Sequence, residues 1–260
     1  MIIQEIIDDL NKQKHWVDFD KTRDIVLFGD PLQEIIKVGV CWVATLPAIE
    51  SAIQQGVNFI ISHENCFYEE STSPRKAILE ARQVKKDLLM THKICVYRCH
   101  DVWDRMPEFG VADRWSKAID LVFEPRETGS FISIARFESM SVQALAHKVA
   151  TGLSPYGQEA VSLLGNPNQV VSSVAIGTGA ITDIFTMLKS KVDCVVCSDD
   201  GINNWITAQY CVDYQLPLII VHHSISEIPG LHGLVDYLKL NYPHQKIVYL
   251  EEGYHYHSIF

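Results

Sequence analysis

The chain has 260 residues, 47% hydrophobic and 21% charged, with a formal net charge of -10. That length and balance suit one large or two small soluble globular domains with a real core. The acidic charge argues against duplex nucleic acid, because phosphate binding needs clustered Lys and Arg. No apolar run reaches the ~20 residues of a membrane helix.

The first segment, "MIIQEIIDDLNKQ", sets Ile2, Ile3, Ile6, Ile7 and Leu10 on one helical face. It lacks the basic and apolar regions of a signal peptide, so a cytoplasmic protein is expected. "IIKVGVCWVA" reads as a strand, "LPAIESAIQQG" as a helix stopping at Gly56, and "VNFIISH" as the next strand. A loop over 64–74 then leads to a helix from about Arg75 to Thr91. Within it, "RQVKKD" reads as a solvated face. "ICVYRCH" is a strand ending at His100, and "GVADRWSKAIDL" a further helix.

The second half repeats this grammar. "FISIARF" is a strand and "SVQALAHKVATGL" a helix capped by Ser141. "VSSVAIGTGA" runs from strand into glycines, then "ITDIFTMLKSK" is a helix and "VDCVVCS" a strand. "INNWITAQYCVDY" is a helix, "LPLIIVHH" a strand, "LHGLVDYLKLNY" a helix and "QKIVYLEE" a final strand. Continuous apolar strands between helices predict an α/β protein whose sheets are covered on both faces. Charge, Pro and Gly cluster in "LVFEPRETG", so we place an approximate seam there, between halves 1–125 and 126–260. The C-terminal segment is left free to return to the first half.

Seven cysteines, an odd number seated in apolar strands, predict reduced buried thiols. "CVVC" has no second pair to complete a zinc knuckle, and a structural role is expected for Cys194 and Cys197.

Three strands end in metal-capable residues. One gives His63 and Glu64, the next His100 and then Asp104, and the last His222, His223 and then Glu227. Sites in open α/β sheets gather beyond the carboxyl ends of strands, where independent strand ends can converge. Imidazole with carboxylate suits zinc, manganese or iron better than calcium. Each element has a plain alternative: a polar loop opening at His63-Glu64, a turn at His100 to Asp104, or a capping box from Ser224 to Glu227. "IGTGAITD" follows a strand and opens a helix, so the backbone of Gly177, Thr178 and Gly179 could hold an anion; tight-turn packing is the alternative. His255 and His257 alternate onto one face of an extended tail, which reads as a partly exposed strand.

"IISHE", "HDVWD" and "HSISE" resemble, in order and spacing over nearly the whole chain, the motifs of the Nif-three-like family of dinuclear-metal-centre hexameric proteins, also described as GTP cyclohydrolase type-two homologues. The resemblance implies a Nif-three-like fold of two interlinked α/β domains with mixed sheets covered by helices. It implies two divalent ions bound by His63, Glu64, Asp104, His223 and Glu227. His100 matches a non-ligand histidine beside the metals; His100, His222 or Asp199 would move protons, and Gly177 to Gly179 would line the substrate cleft. Glu64 stands where many members have a second His, and its charge is expected to favour harder ions. "CSDD" replaces the family's Thr-Gly-acid, which keeps an acid nearby. The implied function is a metal-dependent hydrolase acting on a nucleotide-like or phosphorylated small molecule, in a homohexamer built as a trimer of dimers. The alternative is a non-catalytic metal-binding regulatory or scaffold ring.

Overall fold

The computed structural model describes residues 1–12, 14–68, 75–202 and 205–259. Part of the loop expected over 64–74 and the start of the helix expected from 202 lie outside the described residues. The chain forms two compact units, Met1–Asp104 with Leu231–Gly253, and Arg105–Gly230 with Tyr254–Phe260. The stretch Leu121 to Gly129, expected to be the seam, lies within the second unit.

The first unit opens with α1 (Ile3–Asn11), whose Ile3, Ile6, Ile7 and Leu10 are buried as the periodicity requires. Strand β1 (Ile25–Phe28), β2 (Val38–Cys41) and α2 (Leu46–Gln54) follow. The hydroxyl of Thr45 caps α2 by accepting from the Ala48 N–H at 3.2 Å. Next come β3 (Phe59–Ser62), α3 (Lys76–Thr91), β4 (Cys95–Arg98) and the single turn α4 (Asp101–Asp104). The "RQVKKD" run is not wholly solvated. Lys85 is buried, and its ammonium donates to the carbonyls of Ala44 at 2.8 Å and Cys66 at 2.7 Å. Its long apolar stem lets the charge cross the helix face to reach these acceptors.

The second unit holds α5 (Val111–Ala118), β5 (Ser133–Ser141), α6 (Val142–Leu153), β6 (Ser162–Leu164), β7 (Val170–Ile176) and the short α7 (Ile184–Met187). Strand β8 (Cys194–Ser198), α8 (Trp205–Asp213) and β9 (Leu218–Val221) complete its elements up to α9 (His223–Asn241). Ser141 caps α6 through the Ala144 N–H at 3.1 Å. From Leu231 onward α9 belongs to the first unit, as does the last strand, β10 (Ile247–Tyr249).

Each unit carries one five-stranded mixed sheet. In the first the order is β1-β4-β3-β2-β10, with all neighbours parallel except the antiparallel edge β1. In the second it is β5-β7-β8-β9-β6, where β7, β8 and β9 are parallel and both edges antiparallel. Strand β1 gives little signal in the sequence because it is a partly exposed edge. The interior strands β2, β3, β4 and β8 are buried along their whole length. That is why they read as unbroken apolar runs, and why both Cys194 and Cys197 are buried although their side chains alternate. Burial pushes both thiols up to about 12, so both stay protonated in the strand.

Among the acids this architecture buries is Glu252. It follows β10 and is 4% exposed. Its carboxylate accepts from the Trp42 N–H and from the Tyr249 hydroxyl at 2.7 Å. Burial outweighs these hydrogen bonds and raises its pKa from 4.5 to about 7. A carboxyl raised in the folded state stabilises fully below about pH 4.5 and loses that contribution as pH rises through about 7. The shift corresponds to roughly 3 kcal/mol at most. Thermal melts of Glu252→Gln, which keeps most of the hydrogen bonds but cannot ionise, should gain on the native protein between about pH 5 and about pH 8. A constant difference across that range would assign the destabilisation to other groups.

Candidate metal centre

In the first unit the parallel register aligns Cys41, Ser62 and Arg98 across the last row of β2, β3 and β4. The ladder continues one step further, with the His63 N–H on the Cys41 carbonyl at 3.2 Å and the Glu64 N–H on that of Trp42 at 2.7 Å. Beyond β4, Cys99 donates to the Ser62 carbonyl at 2.9 Å. Side chains that follow the strands are therefore set by sheet hydrogen bonds rather than by a free loop.

His63 is fully buried. Its Nδ1 lies 3.0 Å from the Cys99 carbonyl, which can only accept, so Nδ1 carries a proton and Nε2 is the nitrogen turned toward the cluster. That Nε2 lies 3.3 Å from Asp104 Oδ1. The rings of His63 and His100 stack at 4.5 Å and 9°. One donor atom from each of His63, His100 and Asp104 falls within 4.8 Å of the others. An imidazole whose far nitrogen is tied to a carbonyl, beside a buried carboxylate, is the donor chemistry a divalent transition metal requires.

His100 differs from His63. Its Nε2 lies 3.3 Å from Glu64 Oε1, and its Nδ1 lies 3.0 Å from Asp101 Oδ1 and 3.4 Å from Asp104 Oδ2. Burial opposes its charge, but Asp104 and the bonds to Asp101 and Glu64 raise it to about 9. Glu64 is pushed up by burial and pulled further down, to about 2, by the His100 hydrogen bond and the charges of His63, His100 and Arg98. Arg98 donates from Nη2 to Glu64 Oε2 at 2.6 Å. The added negative charge expected from Glu64 is thus offset by a buried cation, so charge alone does not bias the cluster toward hard ions.

The short helix α4 places Asp101 and Asp104, and it is held by Asp24. That buried carboxylate accepts from the N–H groups of His100 at 2.6 Å and Val102 at 3.2 Å. Asp101 in turn accepts from the Arg23 N–H at 2.9 Å. The segment before β1 therefore sets the angle of the His100 to Asp104 turn.

In the second unit the register aligns Ile176 with Val196 and Ser198 with Val221 across β7, β8 and β9. The residues that follow are the glycine turn, Asp199-Asp200 and His222-His223. The two acids grip the two histidines in order. Asp199 Oδ2 lies 3.0 Å from His222 Nδ1, and Asp200 Oδ2 lies 2.6 Å from His223 Nδ1. Asp199 Oδ1 also accepts the His223 N–H at 3.0 Å, capping α9. Because α9 starts at His223, Ser224 is not its cap, and Glu227 Oε1 instead meets His223 Nε2 at 2.9 Å. Burial opposes the charge on His223, but Glu227 and Asp200 raise it to about 11.

Gly179 has φ +79, and a side chain there would start 3.4 Å from Glu227 Oε1 and 3.6 Å from His223 Nε2. Gly177, Thr178 and Gly179 thus run alongside this cluster, with Thr178 Oγ1 hydrogen bonded to Ser226 Oγ. The turn does not itself open an α-helix, as the sequence suggested. α7 begins only at Ile184, and the Asp183 carboxylate occupies its N-terminus through the Thr186 N–H at 3.0 Å. His222 stacks on Tyr256 at 3.6 Å. His255 and His257 form no cluster with other metal-capable groups among the described residues.

Five contributors were not singled out in the sequence: Asp24, Arg98, Asp101, Asp200 and Tyr256. Arg98 had a signal, a charge closing the buried run "ICVYR". Asp24 had none, since it acts across 76 residues.

A family model described as DUF34/NIF3 (NGG1p interacting factor 3) matches residues 1–252. The chain belongs to this family. A Chlamydia pneumoniae relative named "GTP cyclohydrolase 1 type 2 homolog" is 26% identical over 218 residues, 83% of this chain and 84% of the relative. The fold is shared with the Staphylococcus aureus hypothetical protein SA1388, at TM-score 0.78 and 18% identity over 100% of this chain and 99% of that one. It is shared too with a Bacillus cereus protein related to NIF3, at TM-score 0.78 and 14% identity over 99% and 98%. Among the described residues of this DUF34/NIF3 chain, no helix is long and apolar enough to cross a membrane.

Asp24→Ala leaves the buried N–H groups of His100 and Val102 without their carboxylate acceptor. We expect a loss of roughly 2–4 kcal/mol in urea unfolding, since each orphaned donor costs about 1–3 kcal/mol. A loss below about 0.5 kcal/mol would mean that water replaces the carboxylate.

Proposed function

We propose that the protein binds two divalent metal ions through His63, Glu64, Asp104, His223 and Glu227, and that it hydrolyses a nucleotide-like or phosphorylated small molecule. The observation that carries this is the buried His63–Asp104 pair, with His63 Nδ1 committed to a carbonyl and Nε2 3.3 Å from the carboxylate. The His223–Glu227 pair repeats that chemistry, with Nδ1 committed to Asp200. The ion count follows the resemblance read from the sequence; zinc, manganese and iron all suit these donors. The relative's name, GTP cyclohydrolase 1 type 2 homolog, supports a nucleotide-related substrate.

When bound, divalent cations supply Lewis-acid polarisation of a phosphoryl or carbonyl oxygen and a more acidic water. The protein's own groups supply the rest. Asp199 holds the proton on His222 Nδ1, which leaves Nε2 to take or return a proton. His100, flanked by Glu64, Asp101 and Asp104, is a second proton carrier. The turn Gly177 to Gly179 exposes backbone rather than side chain to the His223–Glu227 face, which suits close approach of substrate. By the same resemblance the working form is a cytoplasmic homohexamer.

Metal analysis of the purified protein should give two equivalents, and His63→Ala or His223→Ala should each lower that number. Assays on nucleotide and phosphoester panels should show turnover that falls at least roughly 100-fold in Asp104→Ala. Full metal loading with no turnover on any panel member would favour the non-catalytic ring, and no metal uptake would sink both readings.

A further inference from the structure

Arg98 is the last residue of β4 and is buried. Its guanidinium makes two contacts with the same neighbouring segment. Nε donates to the His63 carbonyl at 3.2 Å, and Nη2 donates to Glu64 Oε2 at 2.6 Å. The other carboxylate oxygen, Oε1, lies 3.3 Å from His100 Nε2, inside the first cluster. The two oxygens of Glu64 are therefore in different environments: one is occupied by a permanent cation, the other faces the metal-capable groups. Arginine suits this role because its charge does not titrate and its planar fork can hold a backbone carbonyl and a carboxylate together. A lysine ammonium on a flexible stem fixes direction less well.

We propose that Arg98 is a positioning residue that restricts Glu64 to one coordinating oxygen. The inference rests on the metal-binding reading above. With Oε2 held, Glu64 can reach a divalent ion only through Oε1, and the Glu64–Arg98 pair adds no net charge to the cluster. Without Arg98, both oxygens are available, the carboxylate can rotate to chelate through both, and the ion gains a ligand atom. Coordination number, rather than affinity alone, is what Arg98 controls.

Cobalt(II) reports this directly, because its visible absorption weakens and shifts as coordination rises above four. Cobalt titrations of the full chain should show weaker, shifted bands in Arg98→Met than in the native protein. In a Glu64→Gln background the same Arg98→Met change should leave the spectrum as it was, since the amide gives the guanidinium no anionic partner. Arg98→Lys keeps the buried charge and provides a folded comparison if the Met variant fails to fold; its bands should move in the same direction. Native bands from either folded Arg98 variant, or equal changes with and without Glu64, would overturn the positioning role. Absence of cobalt uptake by the native protein would instead overturn the metal-binding reading itself.

Discussion

Both candidate clusters depend on parallel strands that end in register. In the first sheet Cys41, Ser62 and Arg98 close β2, β3 and β4 in one row, and in the second Ser198 and Val221 close β8 and β9. A parallel ladder fixes where each strand stops relative to its neighbours, so the next residue on each is fixed as well. His63 and Glu64 inherit their positions from two further sheet hydrogen bonds, and His100 from its backbone contact with Asp24. A slip of one residue in β3 would exchange the faces of His63 and Glu64 and dismantle the first cluster.

Charge balance is the second constraint. Asp101, Asp104 and Glu64 surround His100, and Asp200 and Glu227 flank His223. Buried carboxylates of like sign repel unless cations lie among them. Both histidines are raised well above 6.5, despite burial that opposes their charge, so each serves as a counter-charge to the acids around it. A bound cation would take over that task at His223 and leave the imidazole neutral. Arg98 is held differently, by the His63 carbonyl and the Glu64 carboxylate together.

Much of the site was legible because its members sit next to unmistakable strands. "FIIS", "CVYR" and "LIIV" are buried runs, and whatever follows such a run lies at a sheet's carboxyl edge. His63, Glu64, His100, His222 and His223 are candidates on this ground, and Asp104 and Glu227 on their spacing of four from a histidine. Lys85 and Asp24 were not legible. The first sits in a charge run that imitates a solvated face, and the second is joined to its partners only by tertiary hydrogen bonds. Strand β1 escaped notice because an exposed edge needs no apolar pattern.

The sequence by itself determined the α/β class, the order of most strands and helices, the reduced cysteines and the residue types available to a metal. Those follow from periodicity and from the end of each apolar run, which are local properties of the chain. Only the tertiary structure decided which nitrogen of His63 is tied to a carbonyl, that Asp199 and Asp200 each take a separate histidine, and that Arg98 neutralises Glu64. These are pairings between strands and turns remote in sequence, and no local pattern encodes the partner of a buried charge.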